Sequence, residues 1–177
     1  GSPIFNPEAL AGWQRDSVRS VDIVSGCFLM IRRQLWRTLG GFDPQFFMYG
    51  EEADLCLRAR SFGARPMFTP TATIIHLGGA SEATRTGKMA ELLAAKVSLI
   101  DRHFDPFQRM LGRRLLRLWP LTRWLVMRAA ARVTREPRYA ASAETWHEIW
   151  ARRSDWQRGY PSPQACTKLQ PSLSIPQ

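Results

Sequence analysis

A chain of 177 residues and 20.2 kDa can form one sizeable domain or a smaller one with appendages. Its 45% apolar content excludes disorder as the default state. A formal charge of +10 favours anionic partners, and three scattered cysteines (Cys27, Cys56 and Cys166) exclude a disulfide framework and fit a reducing compartment.

No charge-free run approaches the roughly 20 apolar residues of a membrane span. Gly1-Ser2 has the look of a cloning remnant, and Pro3-Ile4-Phe5 shows no initiator methionine. The chain therefore reads as a piece of something longer. Residues 1–19 read as loop plus a short helix. Residues 21–31 are β-rich and apolar on both faces, which predicts a doubly buried strand, and Gly26 inside it predicts close approach of a ligand or another backbone. Residues 32–39 read as a short helix stopped by Gly40-Gly41, followed by an aromatic loop over 42–50.

The run over 51–62 has the charge pattern of a helix: acids in its first turn, Arg58 and Arg60 in its last, and Gly63 at the stop. Residues 66–68 and 72–76 read as short strands, and 78–81 as a flexible glycine loop. From Lys88 onward the chain is helical and Arg-rich. Arg109, Arg113 and Arg117 share one face at i, i+4 spacing, opposite Leu111, Leu115, Leu118 and Trp119, and Pro120 is expected to break or kink the run. Beyond Tyr160 the sequence is rich in Pro, Ser and Gln, which predicts a disordered tail. The organisation expected is thus 1–87, a basic helical extension over 88–160, and a tail over 161–177.

Glu51, Glu52 and Asp54 are the residues best suited to chemistry. Acids in a first helical turn also serve simply to complement the helix dipole. Three within four positions repel one another, however, and such crowding raises a carboxylate pKa toward that of a useful base. The preceding Phe46-Phe47-Met48-Tyr49-Gly50 supplies an aromatic wall suited to a sugar ring. His76 ends an apolar stretch before a glycine loop. It is either a hydrogen-bonded strand-end residue or a metal ligand. Between residues 102 and 138 ten Arg face two acids, a local +8. This segment is either a solvated face over a Leu/Trp layer or a surface for an anionic membrane. Its Leu/Trp side can equally cover the protein's own core or a second subunit in a homo-oligomer. No zinc, RNP-like or helix-turn-helix signature accompanies the charge, so nucleic acid is not an expected partner.

Four ordered motifs, Val24-Ser25-Gly26, Gly40-Gly41-Phe42-Asp43, Phe47-Met48-Tyr49-Gly50-Glu51-Glu52-Ala53-Asp54-Leu55-Cys56 and His76-Leu77-Gly78-Gly79-Ala80-Ser81, resemble the C-terminal half of a family-2 glycosyltransferase of the bacterial rhamnosyltransferase-like branch. The likeness covers about residues 21–81, and the Arg/Trp helices are similar to that branch's C-terminal extension. The resemblance implies an α/β class, namely the acceptor-side part of a GT-A fold. It implies Glu52 as catalytic base on the acceptor hydroxyl, with Glu51 and Asp54 orienting it. It also implies Gly26, Asp43 and Tyr49 on the acceptor side, and His76 as a metal ligand. Asp is commoner than Glu at position 52, and an acid is commoner than Pro at 44. The partners implied are a nucleotide-diphospho-sugar donor and a glycan or lipid-linked acceptor, with Mg²⁺ or Mn²⁺ held mainly by an Asp-x-Asp motif upstream of Gly1. The expected place is the cytoplasmic side, peripheral on the inner face of the membrane. The fragment alone is expected to be inactive. The alternative is a non-catalytic acceptor-binding or scaffold domain of the same fold.

Overall fold

The computed structural model describes residues 13–76 and 85–161. The expected glycine loop at 78–81, the tail from 162 and residues 1–12 lie outside these. Strand β1 (Arg19–Ser20) pairs antiparallel with β2 (Met67–Phe68), Arg19 opposite Phe68 and Ser20 opposite Met67. One further bond, from Val21 N–H to the Pro66 carbonyl at 3.0 Å, continues the ladder. The Trp13 ring stands edge-on to Phe68 at 4.9 Å.

Residues 21–31 do not form the expected strand. Gly26–Phe28 make a single 3₁₀ turn, and Ile23, Phe28 and Met30 are exposed. A strand apolar on both faces needs sheet neighbours at its edges and a layer on each side. Among the described residues, its backbone is offered only the short edge at 66–68. Residues 72–76 carry no ladder either. The described chain is mostly helical with one small sheet, and the α/β layering expected is absent from it.

The two short helices form as their local signals dictate. Helix α1 (Arg33–Leu39) stops at Gly40, whose left-handed backbone (φ 74°) lets its N–H reach the Arg37 carbonyl at 3.2 Å. Helix α2 (Glu51–Ser61) buries Ala53, Leu55, Cys56 and Ala59, and carries its acids at the N-terminal end and its Arg at the other.

Four helices follow: α3 (Arg85–His103), α4 (Pro106–Thr134), α5 (Pro137–Ala151) and α6 (Arg153–Trp156). Asp105 caps α4 by accepting from the Phe107 and Gln108 amides at 2.9 and 3.0 Å, with Pro106 at the first helical position. Helices α4 and α5 pack along one another, and their Trp119 and Trp146 rings meet at 5.5 Å. Leu93, Ala94, Ile149 and Trp156 close the core, with Met89, Leu116 and Trp119 against it. Each large side chain so buried contributes roughly 1.5–3 kcal/mol.

Two expectations for α4 are corrected. The helix continues through Pro120, which is buried, instead of breaking there, and the proline lacks the N–H that would bond the carbonyl four residues back. The Arg and Leu faces also exchange roles in part, although Arg117 stays exposed and Trp119 packs as expected. Arg113 turns inward to Asp101 at 3.1 Å and to the Gln157 carbonyl at 3.1 Å, and Arg109 donates to the Phe104 carbonyl at 3.2 Å. Leu111, Leu115 and Leu118 stand in solvent, 44%, 58% and 48% exposed. The face that packs is Leu116, Trp119 and Pro120, together with Gly112 against Ile100. A helix this rich in Leu and Val has more apolar residues than one contact face can cover.

Candidate active site

The turn into α2 is set by backbone geometry. Tyr49 (φ 62°) and Gly50 (φ 89°) are consecutive left-handed residues. A side chain at 50 would meet Phe46 at 3.2 Å and Ala95 at 3.3 Å, so glycine is required there by both conformation and space. Tyr49 is a non-glycine in the same region, which costs of order 1–3 kcal/mol and persists only where the surroundings enforce it. Those surroundings include Tyr160, whose hydroxyl donates to the Met48 carbonyl and lies 3.2 Å from that of Glu91. The Tyr160 amide donates to Ser98 Oγ at 2.8 Å. The Tyr49 ring lies under Lys88 Nζ at 5.8 Å.

Asp54, fully buried, is the charge hub beneath this turn. It receives Arg58 Nε at 2.7 Å, His103 Nε2 at 2.9 Å and Arg102 Nε at 3.1 Å. Arg58 also donates to the Leu39 and Gly41 carbonyls, both at 2.8 Å, and so ties the end of α1 to α2. Arg102 reaches Asp43 at 2.5 Å. Burial opposes ionisation of Asp43, but the Gln45 amide and the guanidinium groups of Arg102 and Arg58 outweigh it and hold its pKa below the ordinary value. Asp43 and Asp54 are therefore both committed to cations inside the protein.

Glu51 and Glu52 differ from them. Each has one buried carboxylate oxygen with no hydrogen-bond partner among the described residues. Burial, opposed in part by the backbone amide and reinforced by the Glu52 charge, raises the pKa of Glu51. Glu52 points toward the 3₁₀ turn, where a Cβ placed on Gly26 would lie 3.6 Å from its side chain. Glu52, Cys56 and Ala59 form one stripe of α2, spaced i, i+4 and i+7, while Glu51, Asp54, Leu55 and Arg58 form the adjacent one. Burial raises the Cys56 thiol pKa, with the Val24 backbone opposing and Glu52 adding to it. The structure thus brings Gly26, Glu51 and Glu52 together with Tyr49 at the turn, and sets Asp43 and Asp54 behind them as anchors.

His76 is exposed at the end of its described segment. Among the described residues no three His, Cys, Asp or Glu side chains gather as a metal site. Asp43 and Asp54 are saturated by cations, which leaves the free oxygens of Glu51 and Glu52 as the anionic donors here. These residues do not by themselves fit a complete Mg²⁺ site, which takes near-octahedral oxygen coordination.

Sequence reasoning missed Arg102, His103, Ser98 and Tyr160. Only the Asp54–Arg58 pair had a local signal, its i, i+4 spacing. The other partners come from more than 40 residues away (Arg102 and His103 to Asp54, Tyr160 to Ser98 and Met48), where one sequence carries no pairing information.

Comparison with known proteins points to one kind of enzyme. Over 93 residues, 49% of this chain, it is 37% identical to an N-acetylglucosaminyl-diphospho-decaprenol L-rhamnosyltransferase of Mycobacterium tuberculosis. Over 56 residues, 32% of the chain, it is 39% identical to the rhamnosyltransferase WbbL of Escherichia coli. Over 79 residues, 45% of the chain, it is 33% identical to the O-antigen biosynthesis protein RfbC of Myxococcus xanthus. These stretches span 29%, 21% and 6% of the relatives' own lengths. No protein-family model matches the chain, and no solved structure does. Its curated homologues are rhamnosyltransferases and an O-antigen biosynthesis protein, and they support a glycosyltransferase function in general terms.

Proposed function

We propose that this chain is the acceptor-side part of an inverting family-2 glycosyltransferase of GT-A fold, in which Glu52 is the catalytic base. The observation that carries the reading is the contrast among the acids of α2. Asp54 is paired with Arg58 and Arg102 and hydrogen-bonded to His103, whereas Glu52 keeps a carboxylate oxygen without a partner and faces the backbone at Gly26. The Gly26 backbone packs close to the Glu52 side chain, and a glycine so placed marks a point where a ligand or another backbone comes close.

In the proposed reaction an acceptor hydroxyl gives its proton to Glu52 as its oxygen attacks the anomeric carbon of a nucleotide-diphospho sugar. The new glycosidic C–O bond forms as the bond to the diphosphate breaks. The nucleoside diphosphate leaves with that electron pair, and the configuration inverts. A base so placed contributes about 10²–10⁴ in rate. Glu51, with its raised pKa, sits beside Glu52 and orients the acceptor, and Tyr49 and Gly26 line its approach. A divalent cation, Mg²⁺ or Mn²⁺, supplies charge neutralisation at the diphosphate when bound. Its principal ligands belong to the nucleotide-binding half, which this reading places outside the chain, with His76 as an additional ligand.

The sugar is rhamnose by analogy with the homologues, and the acceptor is a glycan or lipid-linked glycan met at the inner face of the membrane. The test is a transfer assay on the full-length protein, with a nucleotide-diphospho-rhamnose and a polyprenyl-diphosphate-linked N-acetylglucosamine acceptor. Product of inverted anomeric configuration is expected. Tight acceptor binding with no transfer from any nucleotide-diphospho sugar would instead identify a scaffold domain.

A further inference from the structure

Helix α4 carries a surface that the proposed chemistry does not use. Phe107, Leu111, Leu115, Leu118, Leu125 and Val126 are all exposed, at 44–67%, and Val133 ends the series at 83%. At 3.6 residues per turn these positions project onto one arc of about 100° along some 40 Å of helix. Thr122 and Ala129 fall in the same arc, so no charge interrupts it. Arg114, Arg117, Arg128 and Arg132 border one edge of the arc and are exposed. Among the described residues Arg114, Arg117 and Arg132 have no ion pair. The whole helix contains no Asp, Glu or Lys.

We infer that α4 is an in-plane membrane-contact helix: the Phe107–Val126 stripe inserts at the headgroup–acyl boundary of an anionic bilayer while the bordering arginines bind lipid phosphates. This deepens the membrane component of the proposed function and rests on that reading only for the identity of the acceptor. The charge decides among occupants. A second copy packed antiparallel would set the same unneutralised arginines against each other, and one packed parallel would leave them without an anionic partner. A nucleic acid would pair the arginines but leave the apolar stripe wet. An anionic bilayer satisfies both halves of the surface, the pattern of helices that lie in an interface. Among the described residues no helix is long and apolar enough to cross a membrane.

The test is co-sedimentation of the full-length protein with phosphatidylethanolamine vesicles, with and without phosphatidylglycerol. Binding is expected only with the anionic lipid and is reversed by salt. Leu111→Gln/Leu115→Gln/Leu118→Gln is expected to abolish it, and Arg114→Gln/Arg117→Gln/Arg132→Gln to weaken it on the order of 100-fold. Both variants, with circular dichroism unchanged, are expected to keep parental transfer to a water-soluble acceptor, while Glu52→Gln is expected to pellet like the parent. Loss of turnover and loss of membrane contact are thereby read separately. Equal pelleting with neutral and anionic vesicles, no pelleting at all, or unchanged pelleting of the Leu variant would each overturn the inference. So would a change in oligomeric state or unfolding in the Leu variant, because either means that the protein itself covers the stripe.

Discussion

Residues 19–76 and 85–161 solve the burial problem in opposite ways. The first region holds Gly26, Glu51 and Glu52 with a two-residue ladder, a 3₁₀ turn and two short helices, and leaves Met30, Phe47 and Ile75 at least 86% exposed. The second closes long helices around Leu93, Ile149 and Trp156, none more than 1% exposed. The groups suited to chemistry lie in the weakly built region, and the groups that fix them come from the strongly built one. Arg102 and His103 reach across from α3, and Tyr160, whose amide is held by Ser98, reaches across from the segment after α6. The helices therefore do more than extend the fold: they position the turn that presents the carboxylates.

The largest expected effect comes from cutting that connection at its hub. Asp54→Asn leaves Arg58, Arg102 and His103 facing a neutral amide in a buried site, and is expected to destabilise the protein by about 3–5 kcal/mol in denaturant unfolding. A loss below about 1 kcal/mol, the range of an exposed ion pair, would show that the two regions stand independently. Tyr160→Phe sharpens the comparison at a second point. Losing the hydroxyl beside the Met48 and Glu91 carbonyls is expected to cost about 1 kcal/mol and to speed amide exchange over residues 46–50 without affecting the core of α5. Uniform acceleration throughout the chain would contradict a local role.

The smallest effect concerns Glu51. Its folded pKa is raised, so the stability linked to its proton is complete below its ordinary value of 4.5 and is lost as pH rises through the folded value. Glu51→Gln is therefore expected to raise Tm at pH 7 and to leave it unchanged at pH values below 4.5. A stabilisation that persists in acid would have another origin.

The elements legible in the sequence were those with signals inside one stretch of chain. The Gly40 stop of α1, the acid-to-Arg polarity of α2 and the helical run after residue 88 all have local physical causes. Gly26 was expected to meet a ligand or another backbone, and it lies opposite the Glu52 side chain. The failures were non-local. Residues 21–31 have strand composition but, among the described residues, only the short edge at 66–68 to pair with, and a strand is a property of its neighbours as much as of its side chains. The inward turn of Arg113 depends on Asp101 and the Gln157 carbonyl, which helical periodicity does not reveal. Crowding of Glu51, Glu52 and Asp54 pointed to a raised carboxylate pKa without distinguishing among the three. The fold separates them by what each side chain meets.

That separation is tested most directly by turnover of Glu52→Gln in the full-length enzyme, measured beside Glu51→Gln and Asp54→Asn at saturating donor. The substitution keeps size and removes basicity, so kcat is expected to fall on the order of 10² or more while donor binding persists and the protein stays folded. Near-parental kcat for Glu52→Gln would contradict the assignment, and with it the claim that the free carboxylate facing Gly26 takes the acceptor proton.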